Sequence, residues 1–138
     1  MLDQIKCIEH VQITVHELDS SLPFYQMLGF IQRRSIRSES EGYTVLVLEA
    51  GSAVIELLQF DKPEPRTEPP PTITAVLRPL GYRHVAFRIQ SVDAWCNWAI
   101  SHCLPFFGRR PTVSGVEQVF LRDPDGNLIE FTEKQIAV

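Results

Sequence analysis

The sequence has few cysteines, no long hydrophobic run and no excess of basic residues, and each absence argues against a class of protein. Its three cysteines, Cys7, Cys96 and Cys103, form no CxxC spacing, which argues against a disulfide framework or a zinc knot and indicates reduced thiols in the cytoplasm. No apolar run approaches the roughly 20 residues that span a bilayer, and Asp3 and Lys6 interrupt any apolar segment of a signal peptide. The formal net charge of −4 argues against nucleic-acid binding, which normally requires a basic face.

The sequence contains enough apolar material for one compact domain. Its 138 residues are 44% hydrophobic and 22% charged, which excludes global disorder. Six of the ten prolines fall within residues 63–79, a density that neither a helix nor a central strand tolerates. We therefore expect a single domain over residues 1–138, in which a proline-rich connector at 61–79 separates two modules, about 5–60 and about 80–134.

Each module shows the pattern strand–helix–strand–strand–strand. Runs rich in β-branched and aromatic residues predict the strands, which are residues 8–15, 30–36, 43–49, 53–60, 82–89, 106–112, 116–122 and 127–133. Asp19 is expected to cap a helix over residues 20–27. Ser91 or Asp93 is expected to start the second helix, which runs to about His102. The sequence Asp-Pro-Asp-Gly before the last strand predicts a hairpin.

A constant offset of 74 positions relates the two modules. His84 follows His10 by this offset, and Glu130 follows Glu56 by the same offset. It also aligns both strand openings, both helix starts and both final strands. The sequence therefore indicates a duplicated βαβββ unit, which predicts an α+β fold.

The two histidines and the two glutamates are predicted to share the sheet face that the helices leave open. Alternation along the strands puts His10 and His84 opposite the apolar residues that the helices should cover. Glu56 and Glu130 each interrupt an apolar run, where an unpaired carboxylate is costly to bury. Singly, such residues are more often hydrogen-bonded or solvated than ligating. As a repeated set, two imidazoles and two carboxylates suit a divalent transition metal with open positions for a substrate.

The chain resembles the vicinal oxygen chelate superfamily, which includes glyoxalase I, methylmalonyl-CoA epimerase, fosfomycin-resistance proteins, bleomycin-resistance proteins and extradiol dioxygenases. The matching segments are EHVQITVHELDSSLPFYQMLGF, AVIELLQF, RHVAFRIQSVDAW and FLRDPDGNLIEF, which cover nearly the whole chain outside the connector. The resemblance implies two βαβββ modules that form a concave mixed sheet around one divalent metal ion. The ligands that it implies are His10, Glu56, His84 and Glu130. Zn, Ni, Co, Mn and Fe(II) all suit such nitrogen and oxygen donors.

A complete set of four ligands favours the isomerase, lyase and epimerase branches of that superfamily. Dioxygenases and fosfomycin-type members typically use two histidines and one glutamate. In glyoxalase-like members a ligand glutamate moves a proton beside a substrate carbonyl, and the resemblance implies Glu130 in this role with Glu56 as its counterpart. We therefore expect an enzyme similar to lactoylglutathione lyase. The alternatives are an enzyme similar to methylmalonyl-CoA epimerase or acting on a secondary metabolite, an Fe(II) extradiol-type dioxygenase, and a non-catalytic protein that binds a small molecule such as an antibiotic.

Further residues near the predicted ligands are expected to contact a small-molecule substrate. They are Gln12, Leu58, Phe60, Arg88 and Leu128, with Leu46 as an additional apolar wall. Arg88 lies on the ligand face by alternation and could meet an anionic group, whereas Arg78, Arg83, Arg109 and Arg110 are expected to be solvated. The resemblance also implies a homodimer, with the metal site built either within one chain or across the dimer interface.

Overall fold

The computed structural model describes residues 4–113 and 115–133. The chain forms two compact units, and the boundary between Arg66 and Thr67 falls inside the expected connector. Each unit has a four-stranded mixed sheet with a helix between its first two strands, so the predicted α+β class and the βαβββ order are confirmed. The single domain over 1–138 stays a prediction, and its residues from 134 onward lie outside the described part of the chain. None of the described helices is long and apolar enough to cross a membrane.

The first unit has its strands in the order β1-β4-β3-β2. Its elements are β1 (Val11–Thr14), α1 (Leu18–Met27), β2 (Ile31–Ser38), β3 (Tyr43–Ala50) and β4 (Ala53–Phe60). The pair β1–β4 is parallel and the other pairs are antiparallel. Helix α1 packs against β4, where Tyr25, Ile55 and Leu57 are fully buried. Burying the apolar side chains of β4 on the helix side leaves the alternate residues, including Glu56, on the other face.

The second unit repeats this arrangement, with the strand order β5-β8-β7-β6. Its elements are α2 (Ile73–Leu77), β5 (His84–Ile89), α3 (Val92–Ser101), β6 (Phe107–Pro111), β7 (Glu117–Arg122) and β8 (Leu128–Glu133). Helix α3 packs against β7 and β8, and Trp95 stacks on Phe131 with ring centroids 4.5 Å apart. The predicted turn between β7 and β8 is confirmed. There the Asp123 carboxylate accepts hydrogen bonds from the N–H groups of Asp125 and Asn127.

The connector contains a short helix, although the density of prolines in this segment predicted none. Helix α2 spans five residues and lies between Pro71 and Pro79. The side chain of Thr72 accepts a hydrogen bond from the N–H of Ala75 and so caps the helix. The expectation of an irregular connector was wrong here because both prolines lie outside the helix, where they remove no helical hydrogen bond.

The helix starts were predicted correctly in one module and wrongly in the other. Ser91 caps α3, since its side chain accepts a hydrogen bond from the N–H of Ala94. In the first module Asp19 is not the cap. Helix α1 begins at Leu18, so Asp19 lies in the first turn, and Glu17 at the N-cap position makes no capping hydrogen bond with its side chain. Asp19 can still favour this helix end, because an acidic residue in the first turn interacts with the helix dipole.

The first N–H of each long helix is instead satisfied from the last strand of its own unit. Gln59 Oε1 accepts from the N–H of Leu18 at 2.7 Å, and Glu133 Oε1 accepts from the N–H of Val92 at 2.8 Å. Donors and acceptors are both 74 positions apart in sequence. The two modules therefore share a specific side-chain contact as well as their order of elements.

Candidate metal centre

The first unit brings together His10 and Glu56, two of the predicted ligands. Strand β1 begins three residues later than predicted, so His10 directly precedes it. The parallel pairing of β1 with β4 aligns Gln12 with Glu56. His10 Nε2 lies 3.5 Å from Glu56 Oε2. Gln12 Nε2 donates a hydrogen bond of 3.2 Å to the same oxygen. Gln12, expected to contact the substrate, is therefore a hydrogen-bond partner of the candidate ligand.

The second ring nitrogen of His10 has a carboxylate partner of its own. His10 Nδ1 is hydrogen-bonded to the carboxylate of Glu9. This hydrogen bond is the largest influence on the pKa of His10 and raises it; desolvation opposes the rise, and the negative charge of Glu56 adds to it. A metal-ligating histidine commonly donates its second N–H to a carboxylate, which fixes the tautomer and directs the other nitrogen at the metal. Here that other nitrogen is Nε2, on the side of Glu56.

The second unit brings together His84 and Glu130 in the equivalent positions. His84 Nε2 lies 2.9 Å from Glu130 Oε2. Glu130 is only 9% exposed, and the antiparallel pairing of β7 with β8 puts Phe120 directly beside it. The ring of Phe120 also contacts His84 edge to face, with centroids 6.0 Å apart. The carboxylate of Glu130 therefore lies in apolar surroundings that make its polar contacts important.

Gln118 is a neighbour of Glu130 that the sequence analysis did not identify. The pairings of Phe120 with Glu130 and of Gln118 with Thr132 put Gln118 on the same face as Glu130, two pairs along the ladder. With the amide turned so that its NH₂ group faces the carboxylate, Gln118 donates a hydrogen bond of 3.0 Å to Glu130 Oε1. Its oxygen then accepts from Arg110 Nε at 3.1 Å. Finding this contact requires the register of β7 on β8, which the sequence pattern does not specify.

The donor atoms in each unit fit a divalent metal ion. Two ligands at right angles on an ion with bonds of about 2.1 Å lie about 3 Å apart. The Nε2–Oε2 distances of 2.9 Å at His84–Glu130 and 3.5 Å at His10–Glu56 are close to this value. Imidazole nitrogen and carboxylate oxygen also suit the transition metals expected from the sequence. No group of three or more histidine, cysteine, aspartate or glutamate side chains placed to hold a metal occurs within residues 4–113 and 115–133.

Two of the predicted substrate contacts lie on the same face as Glu56, and one expected wall residue does not. Leu58 and Phe60 follow Glu56 at alternate positions along β4, so all three share a face. Leu46 pairs directly with Leu57 across the antiparallel ladder. The expectation for Leu46 was therefore wrong, because directly paired residues share a face and Leu57 lies on the helix side of the sheet.

Leu128, another predicted substrate contact, lies under the connector helix. It is buried on the same face as Glu130 and packs with Phe120 and with Ile73 of α2. Gly108 lets α2 come this close, because a Cβ atom at Gly108 would collide with Cδ1 of Ile73. In the second unit, then, the connector covers part of the face that carries the candidate ligands.

The arginines of the second unit divide between the two faces of its sheet. Arg88 is exposed and shares a face with His84, as the alternation predicts. Arg109 is an ion-pair residue, since its guanidinium contacts Asp93 at 2.5 Å and Glu117 at 3.1 Å. Arg110 is exposed, as expected for a surface arginine, and in addition it contacts Gln118 beside Glu130 and lies over the ring of Phe120.

The sequence also matches a known protein family over most of its length. Residues 7–131 match the family described as the Glyoxalase/Bleomycin resistance protein/Dioxygenase superfamily. The chain belongs to this superfamily. The predicted resemblance to vicinal oxygen chelate proteins is thereby confirmed. Members of this superfamily bind small-molecule substrates, generally use a divalent metal ion and are often dimers.

Solved structures of glyoxalase-superfamily proteins share the fold along almost the whole chain. A glyoxalase family protein from Enterococcus faecalis is 25% identical with a TM-score of 0.77, over 93% of this chain and 98% of that one. Lactoylglutathione lyase from Agrobacterium tumefaciens is 20% identical with a TM-score of 0.68, over 96% and 97% of the two chains. The fosfomycin-resistance protein FosX from Listeria monocytogenes is 21% identical with a TM-score of 0.67, over 94% of each chain. These likenesses establish the fold, and a shared fold does not by itself determine the activity. No curated protein matches the chain.

Proposed function

We propose that this protein is a divalent-metal-dependent isomerase or lyase of the glyoxalase type, similar to lactoylglutathione lyase. Its proposed metal ligands are His10, Glu56, His84 and Glu130. One observation carries the proposal: each unit pairs a histidine with a glutamate at equivalent positions, with Nε2–Oε2 distances of 3.5 and 2.9 Å. Two such pairs would supply four nitrogen and oxygen donors, and an ion held by them would have coordination positions left for the substrate.

In the proposed reaction a glutamate carries a proton between two adjacent carbon atoms of the substrate. When bound, the ion supplies Lewis acidity toward two neighbouring substrate oxygens. Glu130 accepts the proton from the carbon beside the carbonyl and returns it to the neighbouring carbon, and Glu56 is its counterpart in the first unit. The contact of Phe120 beside Glu130 supports this assignment, because apolar neighbours exclude water that would compete for the proton.

The substrate is proposed to lie against the parts of the sheet faces that carry the ligands and that the connector helix leaves open. Phe60 and Leu58 in the first unit supply apolar contacts, Leu128 supports the apolar surface of the second unit from beneath Ile73, and Arg88 supplies a positive charge for an anionic group. This combination suits a small carbonyl compound attached to a larger anionic carrier, as in a glutathione adduct. The protein is further proposed to act as a cytoplasmic homodimer.

Metal binding by single variants tests the proposed ligands. After reconstitution in separate samples with Zn²⁺, Ni²⁺, Co²⁺ or Mn²⁺, the wild-type protein is expected to bind one ion per chain. Glu56→Gln and Glu130→Gln should each weaken binding by more than the roughly 10- to 100-fold that the loss of a supporting hydrogen bond costs. Glu49→Gln is the matched control, because Glu49 is a partly exposed glutamate that pairs with Arg33. A wild-type protein that retains no divalent metal in any sample contradicts the proposal.

A substrate panel tests the reaction class on the metal-loaded protein. Turnover is expected with the hemithioacetal of methylglyoxal and glutathione, and Glu130→Gln should abolish it. Conversion of methylmalonyl-CoA instead would indicate an epimerase, and consumption of fosfomycin with a thiol would indicate a resistance protein. Oxygen uptake with catechols in the Fe(II)-loaded sample would indicate a dioxygenase. Any of these three results without turnover of the hemithioacetal overturns the proposed reaction.

A further inference from the structure

A chain of three polar side chains leads from the surface of the second unit to Glu130. Arg110 is exposed, whereas Gln118 and Glu130 are 8% and 9% exposed and are two of the buried polar residues in the described part of the chain. We propose that Gln118, held in turn by Arg110, is a positioning residue that fixes the orientation of Glu130 for metal binding. This inference rests on the proposed function, because it takes Glu130 as a metal ligand.

The chemistry of the three groups determines the direction of their hydrogen bonds. A guanidinium only donates and an ionised carboxylate only accepts. The amide of Gln118 must therefore turn its oxygen toward Arg110 and its NH₂ group toward Glu130. In this orientation Arg110 Nε lies 3.1 Å from the amide oxygen, and the amide nitrogen lies 3.0 Å from Glu130 Oε1. Arg110 thus disfavours the rotated amide, in which the oxygen of Gln118 would face the carboxylate of Glu130 and repel it.

The two carboxylate oxygens of Glu130 have different partners. Oε1 accepts from Gln118, whereas Oε2 lies 2.9 Å from His84 Nε2. An ion held at Oε2 and Nε2 therefore meets a carboxylate whose other end is already fixed. Supporting hydrogen bonds of this kind orient metal-ligating carboxylates and raise metal affinity.

Arg110 is itself held in place, which makes it a suitable anchor. Its guanidinium carbon lies 5.8 Å from the centroid of the Phe120 ring, within the range of a cation–π contact. Phe120 lies directly opposite Glu130 in the ladder, so arginine, glutamine and carboxylate are grouped around one aromatic ring. The network does not extend to the neighbouring arginine, since Arg109 is ion-paired with Asp93 and Glu117.

The first unit supports its own glutamate in a different way. The residue paired with the second position after Glu130 is Gln118, and the corresponding residue for Glu56 is Val45, which cannot form a side-chain hydrogen bond. Glu56 instead accepts from Gln12 on β1, and on the same oxygen that faces His10. The support through Gln118 is therefore a specific feature of the second unit and is not a necessary consequence of the fold.

The test measures Co²⁺ affinity and the Co²⁺ absorption spectrum in the full-length protein. Gln118→Leu removes the hydrogen bond at similar size, Arg110→Leu removes the anchor, and Arg109→Leu is the matched control on the neighbouring residue. Gln118→Leu is expected to weaken Co²⁺ binding about 10- to 100-fold. It should also shift the d–d absorption bands, because a reoriented carboxylate changes the geometry around the ion. Arg110→Leu should cause a smaller change in the same direction, and Arg109→Leu should bind Co²⁺ as the wild type does.

Glu130→Gln separates failure of the inference from failure of the proposed function. If Glu130→Gln weakens Co²⁺ binding while Gln118→Leu and Arg110→Leu match the wild type in affinity and spectrum, the positioning role is wrong and the metal centre stands. If Glu130→Gln binds Co²⁺ as tightly as the wild type, the proposed centre is wrong and the inference falls with it. If Gln118→Leu does not fold, as judged by circular dichroism, Arg110→Leu decides, because Arg110 is exposed and its replacement leaves the core intact.

Discussion

At the residue scale, two glycines adopt the same left-handed backbone conformation, and only one of them lies where a side chain would not fit. Gly108 has a φ of +64°, and a Cβ atom there would meet Ile73 of α2 and the ring of Phe120. Gly51 has a similar φ of +57°, but no atom lies within 4 Å of the corresponding position. The two glycines therefore share a left-handed backbone conformation and differ in crowding, which allows the effect of backbone strain on a substituted residue to be measured separately from that of crowding.

Replacement of these glycines by alanine is expected to destabilise the protein unequally. Gly51→Ala should lower the free energy of unfolding by about 1 kcal/mol, the cost of a left-handed backbone conformation. Gly108→Ala should cost a further 1–3 kcal/mol or so, because α2 must move away from the sheet. Urea unfolding of both variants measures the difference. Equal losses would show that α2 does not press against Gly108.

The ion pair of Arg37 with Asp61 is expected to make stability depend on pH in acid. The guanidinium of Arg37 forms hydrogen bonds of 2.6 and 2.8 Å with the Asp61 carboxylate and holds the pKa of Asp61 below its usual value of 3.8. A lowered pKa in the folded state adds stability above pH 3.8 that is lost as the pH falls through the folded-state value. Asp61→Asn should therefore lose less stability than the wild type between pH 5 and 3 or so. Urea midpoints across this range test the prediction, and parallel curves for both proteins would contradict it.

At the scale of elements, the last strand of each unit fixes the start of its helix. The acceptors are Gln59 for α1 and Glu133 for α3, and each binds the first N–H of its helix. These contacts join a helix end to a strand 41 residues away in sequence. They explain why α1 begins where it does without a side-chain cap of its own.

Replacement of Glu133 tests whether this acceptor works like a local helix cap. Glu133→Leu should lower the free energy of unfolding by about 1 kcal/mol, the usual loss for removing a cap. Glu133→Gln keeps a carbonyl oxygen, as Gln59 has in the first unit, and should lose much less. Thermal and urea unfolding compare the two variants. A similar loss in both would indicate that the charge of Glu133 matters more than its hydrogen bond.

Elements with strong local signals were predictable from the sequence, whereas contacts set by tertiary packing were not. The β4 and β8 runs and the turn before β8 follow from alternation and turn residues, and the structure places them almost as predicted. The helix in the connector depends on Ile73, which is buried by packing on the distant Phe120 and Leu128. Gln118 was missed for a similar reason, because its contact with Glu130 depends on the register of two strands.

At the scale of the whole molecule, the sequence repeat predicted which residues occupy equivalent positions in the two units. The offset of 74 recovers His10 with His84 and Glu56 with Glu130, and each histidine lies near its glutamate in its own unit. That all four ligate one ion follows from the proposal and remains a prediction. A shared ion would link the stability of the two units, and this link can be measured without a substrate.

The tryptophans allow this link to be tested, since Trp95 and Trp98 are the two tryptophans of the sequence and both lie in the second unit. Metal at 100 times its dissociation constant should stabilise the wild type by about 2.7 kcal/mol and raise the unfolding temperature seen by tryptophan fluorescence. Glu56→Gln changes a residue of the first unit and should nevertheless remove most of this rise. Glu49→Gln, also in the first unit, should keep it. A full rise in Glu56→Gln would mean that His84 and Glu130 bind the ion without the first unit, and the shared metal centre would be wrong.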